Sequence, residues 1–235
     1  SIMLGWNEMG TATQWNIEYD LAGFTPTGVP NTSATANPFE LTGLIDGTLY
    51  EYYVQADCGG GDVSYWVGPV VFQTLCFPVT LPYEEGFEET LPPLAPPCIV
   101  VENTNGDDIY WQSSIMNPYN GNYHLAIGWN GNLPMNDWFF SAPLDLLGGQ
   151  TYNVNFYYTN NSDYYVEKLE VLWGTEPVSD SMVNGPIWYD DNIIYNNVYQ
   201  EATTSFSPPS SGVYYVGWHG YSIANQYDIY IDDIY

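Results

Sequence analysis

The chain has 235 residues, enough for one large or two small domains, and its 45% hydrophobic content can supply their cores. It carries 28 acidic residues against a single cation, Lys168, for a formal net charge of −27. Binding to nucleic acid or insertion into a membrane is disfavoured, because the first needs Lys and Arg and the second an apolar run of roughly 18 residues. Charge of this size must be screened by salt or bound cations, which favours an extracellular setting.

Residues 1–75 contain short alternating segments separated by turn residues, a pattern typical of a small β-sandwich. Strands are predicted at 1–6, 14–20, 38–44, 49–56 and 65–74. The Asp46-Gly47 pair indicates a tight turn before the fourth strand, and no segment has a helical period. Ser1 opens directly on a strand with no signal peptide, so we expect the chain to be a fragment of a longer protein.

The first 75 residues resemble a fibronectin type III domain. The resemblance rests on Leu4-x-Trp6, Trp15-x-Ile17-x-Tyr19 and a third motif that contains Leu44, Gly47, Tyr50, Val54 and Ala56. It implies a two-sheet sandwich in which Tyr50 forms a tyrosine corner, with its hydroxyl tied to upstream backbone. The segment from Cys58 to Cys76 resembles the versions found in surface proteins of Bacteroidetes-type bacteria. The first strand of that fold would precede Ser1 and is missing.

The three cysteines allow one sensible pairing. If Cys58 ends one strand and Cys76 lies at the far end of the next strand of the same hairpin, about ten extended residues separate them by about 30 Å. A disulfide tolerates a Cα separation of only about 7 Å, so that pair is excluded. We therefore predict a Cys76–Cys98 disulfide. For Cys58 we expect a partner in the missing first strand, and the alternative is a buried free thiol.

A proline-rich stretch, 76–98, opens the predicted second domain, 76–235. Its prolines exclude a helix and favour extended backbone. They lie at positions 78, 82, 92, 93, 96 and 97. The apolar-acidic segment 86–89 within the stretch is predicted to be the first strand of that domain.

Residues 99–235 predict a larger all-β domain, because apolar residues alternate with polar or small ones in four further segments. The alternating residues are Tyr123, Leu125, Ile127 and Trp129; Tyr152, Val154, Phe156 and Tyr158; Leu169, Val171 and Trp173; and Tyr214, Val216 and Trp218. Turn residues fall at 120–121, 130–131, 148–149 and 210–212. This spacing is typical of a jelly roll, in which two antiparallel sheets pack face to face.

A second resemblance covers most of this half. Its motifs are Pro82-Tyr83-Glu84-x-x-Phe87-Glu88, Pro97-Cys98, Asp107-Asp108-x-x-Trp111, Asp137-Trp138-x-x-Ser141-x-Pro143-Leu144-x-Leu146, Gly149-x-x-Tyr152-x-Val154-x-Phe156 and Tyr230-Ile231-Asp232-Asp233-Ile234. Their order is similar to that in the cleaved-adhesin or choice-of-anchor family of bacterial surface proteins, which implies a MAM-like fold. One departure is Ile99, where such domains usually carry tryptophan.

The same resemblance implies a structural Ca²⁺ ion. Its ligands would be Glu88, Asp107 or Asp108, Asp137, and Asp232 or Asp233. Ca²⁺ takes about six to eight oxygen ligands, which scattered carboxylates can supply. Asp232 and Asp233 point to opposite faces of a regular strand, so only one is expected to face the core unless a bulge intervenes. The alternative is that these acids are solvated loop residues.

Two further features predict binding or modification. Trp188, Tyr189 and Tyr195 lie among Asp and Asn residues, which is the chemistry of a glycan platform, although aromatics of a strand pair can equally fill a core. Ser181 lies in an Asp-Ser-Met triplet that fits the acidic-hydroxyl-apolar pattern of bacterial O-glycosylation.

The sequence lacks the usual catalytic patterns. No Gly-x-Ser-x-Gly elbow, nucleotide-binding glycine loop or histidine-rich zinc spacing occurs. His124 and His219 alternate out of phase with the aromatic faces of their strands, so both are predicted at the surface or rim. No strand displays the clustered inward carboxylates of a jelly-roll glycosidase. We therefore predict that the protein is not an enzyme.

Taken together, these features predict a non-catalytic, calcium-stabilised segment of a large extracellular adhesin or cell-surface fibre. Its expected partner is a protein or glycan on a host or neighbouring cell. One alternative is a carbohydrate-binding module of a secreted enzyme. Another is a self-assembling filament subunit completed by a strand from a further copy of itself, because an open sheet edge can accept a strand.

Overall fold

The computed structural model describes residues 1–89 and 92–235, and the chain divides into two compact units, Ser1–Cys76 and Phe77–Tyr235. Each unit is built from antiparallel sheets, which confirms the predicted all-β fold class. The one helix in the described residues is a single 3₁₀ turn at Ser179–Ser181. No helix in this part of the chain has the length and apolar character needed to cross a membrane.

The first unit is a small two-sheet sandwich. Its strands are β1 (Ile2–Leu4), β2 (Gln14–Leu21), β3 (Thr32–Ala34), β4 (Phe39–Leu41), β5 (Leu49–Gly59), β6 (Asp62–Val63) and β7 (Val67–Gln73). Strands β1 and β4 form one sheet. Strands β3, β2, β5 and β6 form the other in that order, and β7 also pairs with β5. The short strands β3 and β6 have no counterpart among the predicted strands.

Side-chain alternation along β2 and β5 builds the core of this unit. Trp15 and Ile17 are buried on one face of β2, because successive side chains on a strand point to opposite sides. They pack with Val54 of β5 in one apolar cluster. At the start of β5, the Tyr50 hydroxyl accepts a hydrogen bond from the Ile45 N–H at 3.2 Å, which is the upstream backbone contact expected of this tyrosine.

The second unit is a larger sandwich of two sheets. Its strands are β8 (Val100–Asn103), β9 (Gln112–Ser114), β10 (His124–Ile127), β11 (Asp137–Phe140), β12 (Leu144–Leu146), β13 (Tyr152–Asn160), β14 (Glu167–Gly174), β15 (Asn184–Ile193), β16 (Gln200–Phe206), β17 (Gly212–Gly220) and β18 (Ile229–Asp232). One sheet has the order β16-β13-β18-β10-β9, and the other has the order β15-β14-β17-β11-β8, with β12 paired to β17. This arrangement agrees with the predicted jelly roll.

The core of the second unit fills the space between these two sheets. Most of the alternating residues predicted to point inward belong to it, including Leu125, Phe156, Val171 and Trp218. Trp129 is an exception, because β10 ends at Ile127 and the Trp129 side chain is 40% exposed. The sequence pattern thus identified the core strands but extended one of them too far.

The segment 86–89 is not a strand, so that prediction is wrong. Phe87 has a left-handed backbone with φ 60°, and residues 87–89 bend and turn instead of pairing. A single bridge at Glu85 joins the segment to Ile234. The Phe87 side chain is fully buried in the core, so apolar burial governs this segment in place of strand pairing.

The remainder of the proline-rich stretch is also less extended than predicted. Residues 92–98 are dominated by turns, while Thr90 and Leu91 lie outside the described residues. Val79 makes a parallel bridge to Leu144. Cys76 and Cys98 are disulfide-bonded, as predicted. Cys58 is a free thiol and is exposed, so the alternative that it is buried is wrong.

Candidate functional site

The second unit brings the predicted calcium ligands into two separate groups. Asp107 and Asp137 lie together where β8 ends and β11 begins, and Glu88 and Asp232 both contact the loop 117–123. Asp108 is exposed and contributes to neither set of hydrogen bonds. In the described residues no group of three or more His, Cys, Asp or Glu side chains is placed to hold a metal ion. The six acids therefore do not form one all-carboxylate site.

The first group, the Asp107–Asp137 cluster, forms where β8 ends and β11 begins. Asn103 and Asp137 are directly opposed in the β8–β11 ladder, so the loops beyond them meet. The Asn105 side-chain nitrogen is 3.4 Å from a carboxylate oxygen of Asp107, 3.4 Å from one of Asp137 and 2.9 Å from the Pro134 carbonyl oxygen. Two carboxylate oxygens and one carbonyl oxygen thus surround the side-chain amide of Asn105.

Further amides and carbonyls complete the Asp107–Asp137 cluster. The Asn130 side-chain amide donates to Asp107 Oδ2 at 2.9 Å. The Asn103 amide donates to the carbonyl oxygens of Asp107 and Ile109, the latter at 3.1 Å. The cluster therefore contains backbone carbonyl oxygens in addition to its carboxylate oxygens.

Asp137 is electrostatically the most constrained member of this cluster. Its side chain is 1% exposed, and its Oδ1 atom is buried without a hydrogen-bond partner in the part of the chain that the structure describes. Burial raises the pKa of Asp137 to about 6, and the neighbouring Asp107 carboxylate adds to the rise, while the Asn136 N–H opposes it. A buried, unpaired carboxylate oxygen next to a second carboxylate favours a bound cation or a proton.

The second group, the Glu88–Asp232 cluster, fixes the loop 117–123 between β9 and β10. Asp232 Oδ2 accepts hydrogen bonds from the N–H groups of Tyr119 and Asn120 at 2.8 and 3.1 Å. Asp232 Oδ1 accepts from the Asp233 N–H at 2.8 Å. Glu88 Oε1 accepts from two further N–H groups of the loop, each at 2.8 Å. Backbone donors already occupy these carboxylates.

Asp232 and Asp233 differ strongly in their surroundings. Asp232 is fully buried, and this burial raises its pKa to about 7 although three backbone N–H groups lower it. It lies on the face of β18 opposite Ile229 and Ile231, beneath the loop and away from the core. Asp233 is half-buried, lies beyond the strand end and has φ 43°. Neither acid faces the apolar core.

Glu88 has the opposite electrostatic character. Partial burial raises its pKa, but hydrogen bonds from the Tyr123 and Asn122 N–H groups and the Asn122 amide outweigh this and hold the pKa below its ordinary value. The ionised form of Glu88 therefore stabilises the loop.

The histidines occupy different environments. His124 is fully buried, and neither ring nitrogen has a hydrogen-bond partner among the described residues, so its predicted surface position is wrong. Burial lowers the pKa of His124 to about 4. The His124 ring packs against Tyr230 of β18, with ring centroids 4.7 Å apart, which a two-residue alternation cannot reveal. His219 is half-buried, with ring nitrogens 2.8 Å from Glu170 and from Asn136.

The residues of the predicted glycan platform are mostly packed. Trp188 lies against Phe156 and Tyr158, with ring centroids 5.1 and 4.8 Å apart. The Tyr195 hydroxyl donates to Asp190 at 2.9 Å. Tyr189 is 62% exposed. This packing fits the alternative that these aromatics fill a core.

Ser181, the predicted O-glycosylation residue, closes the 3₁₀ turn Ser179–Ser181 and is half-buried. Its N–H donates to the Val178 carbonyl at 3.0 Å. No contact of the Ser181 hydroxyl bears on modification, so glycosylation at this position stays a prediction.

The sequence analysis did not identify one group of polar and aromatic residues that the structure brings together. Tyr227, Asn161 and Asp228 lie in loops, and the alternating pattern placed Trp129 in a strand. The available signal was local: Trp129 stands just before Asn130-Gly131, a turn pair that ends the strand before it.

Part of the chain matches solved structures in its fold, whereas no protein-family model and no curated protein sequence matches the chain. The K2 cleaved adhesin domain of Lys-gingipain is 19% identical over 65% of this chain and 96% of its own, with a TM-score of 0.52. The K1 domain of the same protein from Porphyromonas gingivalis W83 is 15% identical over 65% and 95%, also with a TM-score of 0.52. What this chain shares with them is the fold.

Proposed function

We propose that the chain is a non-catalytic segment of a large extracellular adhesin or surface fibre, stabilised by calcium. Its partner would be a protein or glycan on a host or neighbouring cell. The observation that carries this proposal is that two carboxylates, the buried Asp232 and the exposed Glu88, hold one loop of a cleaved-adhesin-like sandwich. Asp232 and Glu88 accept backbone N–H groups of the loop 117–123, so they present a fixed surface. A dispersed charge of −27 suits an ion-rich, extracellular medium.

Calcium fits the Asp107–Asp137 cluster better than the Glu88–Asp232 cluster. The buried, unpaired Asp137 Oδ1 and the Asp107 carboxylate supply charge, and nearby carbonyls supply neutral oxygens. An Asn amide that rotates by 180° exchanges its nitrogen for its oxygen, so Asn105 could offer a ligand as well. Ca²⁺ accepts such mixed oxygen sets. The bound ion would neutralise two adjacent carboxylates and tie the β8 and β11 loops together.

Calcium titration tests this proposal directly. After chelation and dialysis, addition of CaCl₂ is expected to release binding heat and to raise the melting temperature. MgCl₂ serves as the control, because Mg²⁺ demands a tighter octahedral geometry and is expected to stabilise less. Neither heat nor a change in melting temperature with CaCl₂ would remove calcium from the proposal. Adhesion itself is tested by attaching the protein to beads and measuring their retention on cell monolayers; retention equal to that of albumin-coated beads would reject it.

Self-assembly is a second candidate, supported by the first unit. Among the described strands, β1 pairs with β4 alone, so its other edge is open to a further strand. A mainly apolar groove of about 620 Å³ lies between the residues after β1 and the strands β5 and β7, and the free thiol of Cys58 lines it. Native mass measurement across a concentration series decides this candidate; a monomer at every concentration would rule it out.

A further inference from the structure

The five-stranded sheet of the second unit has a groove on its outer face, which we call the outer-face groove. The outer face is the one turned away from the core. The groove has a volume of about 430 Å³ and is lined by residues that include Asn117, Asn161, Asn197, Tyr227 and Tyr230. A neighbouring recess of about 310 Å³ contains Tyr110, Gln112, Trp129 and Asp228. The two meet where the carboxylate of Asp228 contacts Asn161 and Tyr230.

Strand direction explains why these residues gather in one place. Adjacent strands in the order β13-β18-β10-β9 run antiparallel. The same end of the sheet therefore contains the end of β13, the start of β18, the end of β10 and the start of β9. Asn161 follows β13, Asp228 precedes β18, Trp129 follows β10 and Gln112 begins β9. Polar and aromatic side chains from the ends of four strands thus lie together at this end of the sheet.

Trp129 and Tyr227 line this region, and Tyr165 stacks on Tyr227, so three aromatic rings have nearly parallel planes. The Trp129 and Tyr227 ring centroids are 6.3 Å apart with an interplanar angle of 14°. The Tyr227 and Tyr165 centroids are 5.6 Å apart with an angle of 6°. Trp129 is 40% exposed, so part of its ring is available to a ligand. Aligned rings of this kind offer flat apolar surface with polar groups beside it.

The polar groups of the groove form a small connected set. The Asn161 amide donates to Asp228 Oδ2 at 2.7 Å and contacts the Tyr230 hydroxyl at 2.9 Å. The Tyr230 hydroxyl also donates to Asp228 Oδ2, so the side-chain donors of this set are all used, whereas its amide, phenol and carboxylate oxygens keep free acceptor sites. The set can therefore accept further hydrogen bonds from a ligand rich in hydroxyl groups.

The groove walls are held in place before any ligand arrives. Asn117 and Asn197, from two different loops, are joined by a side-chain hydrogen bond of 3.3 Å. The fully buried Asn160 accepts from the Tyr195 and Asn196 N–H groups at 2.7 and 3.1 Å, which fixes the second loop. Binding would cost little ordering of the protein, so modest contacts can give measurable affinity.

We propose that the outer-face groove and its recess bind a neutral oligosaccharide. This inference rests on the proposed function and names the ligand class of the binding face. The protein's charge of −27 repels anionic glycans. Amides and phenols outnumber carboxylates in the groove, which favours a neutral polyol over a cationic peptide. The aromatic rings would stack on sugar rings, and the Asn161–Asp228 pair would bind hydroxyl groups.

A glycan array of neutral oligosaccharides, built from glucose, galactose, mannose and xylose, tests this assignment. We expect binding to at least one series, followed by titration calorimetry with the best soluble oligosaccharide. Trp129→Ala and Tyr227→Ala should each weaken that binding by about tenfold or more, which corresponds to about 1.4 kcal/mol. Trp129 is partly exposed, so its variant is expected to keep the wild-type melting temperature and circular dichroism spectrum.

Tyr189→Ala is the matched control, because Tyr189 is an exposed aromatic outside the groove. We expect its affinity to equal that of the wild type, and we expect no change when NaCl is raised to about 1 M, where charge interactions are screened. Binding lost in Tyr189→Ala but kept in Trp129→Ala would overturn the proposal, as would affinity that collapses with salt. A protein that retains beads on cells but binds no neutral glycan would refute the groove assignment and leave the proposed function intact.

Discussion

The Asp107–Asp137 and Glu88–Asp232 clusters contain the same chemical group and use it in different ways. In the Glu88–Asp232 cluster, backbone N–H groups of one loop occupy the carboxylate oxygens. In the Asp107–Asp137 cluster, one oxygen of Asp137 is buried with no partner among the described residues, and side-chain amides surround the rest. The carboxylates of the Glu88–Asp232 cluster clamp a loop, and those of the Asp107–Asp137 cluster need a counter-charge. The two roles differ because of how many hydrogen bonds the carboxylates accept, and not because of how many acids each cluster contains.

The largest expected effect comes from removing the clamp. Asp232→Ala removes a buried carboxylate that accepts hydrogen bonds from the N–H groups of Tyr119, Asn120 and Asp233. A hydrogen bond to a charged group contributes about 1.5–3 kcal/mol, so we expect a loss of at least about 3 kcal/mol in the free energy of unfolding by urea. Asp233→Asn, which keeps a residue tolerant of positive φ, should cost less than about 1 kcal/mol. Equal losses in the two variants would contradict the clamp.

Calcium should distinguish the clusters next. At a free Ca²⁺ concentration about 100 times its Kd, the wild type should gain about 2.7 kcal/mol in the free energy of unfolding. Asp137→Asn should abolish this gain, because it removes a charge beside Asp107. Asp232→Asn should keep the gain, whatever its own stability. Melting curves with and without CaCl₂ measure both variants, and a calcium response lost only in Asp232→Asn would reverse the assignment.

Glu167 extends the comparison to a further carboxylate, which belongs to neither cluster. It is fully buried, its Oε2 atom has no partner in the described residues, and its Oε1 accepts from the Tyr227 N–H. Burial raises its pKa from the ordinary 4.5 to about 7. Between pH 4.5 and about pH 7, Glu167 binds more protons in the folded protein than in the unfolded one. The free energy of unfolding therefore falls as the pH rises through this range.

Glu167→Gln should remove that pH dependence. The variant is expected to be more stable than the wild type at pH 8 by on the order of 2 kcal/mol, and the difference should shrink towards pH 4.5. Urea unfolding of both proteins between pH 4.5 and 8 provides the measurement. Parallel stability curves for the two proteins would show that Glu167 ionises in the fold without cost.

Glu88 should give the smallest effect. Hydrogen bonds hold its pKa below the ordinary value, so its ionised form stabilises the fold above that value, and this contribution is lost as pH falls. Its side chain is exposed, and solvent screens the interaction. We expect Glu88→Gln to cost about 0.5–1 kcal/mol at pH 7 and to match the wild type near pH 3, as judged by urea unfolding. A cost that persists unchanged at pH 3 would show a role other than charge.

Local patterns predicted much of the framework and little of the candidate site. Leu169, Val171 and Trp173 alternate as a strand and lie in the core, because a period of two fixes which side chains share a face. The same rule failed for His124, which is buried against Tyr230 of β18. It also failed for Phe87, whose burial in the core overrides strand pairing. Contacts between residues far apart in the chain decide these cases.

The sequence by itself determined the all-β class, the main strands and the Cys76–Cys98 disulfide, because alternation and chain length are local properties. Only the tertiary structure decided which carboxylates are clamped and which are left unpaired, since their partners lie up to 113 residues away, as with Asp232 and Tyr119. It also assembled the outer-face groove from the ends of four strands. Strand order created that groove, and strand order cannot be derived from a local pattern.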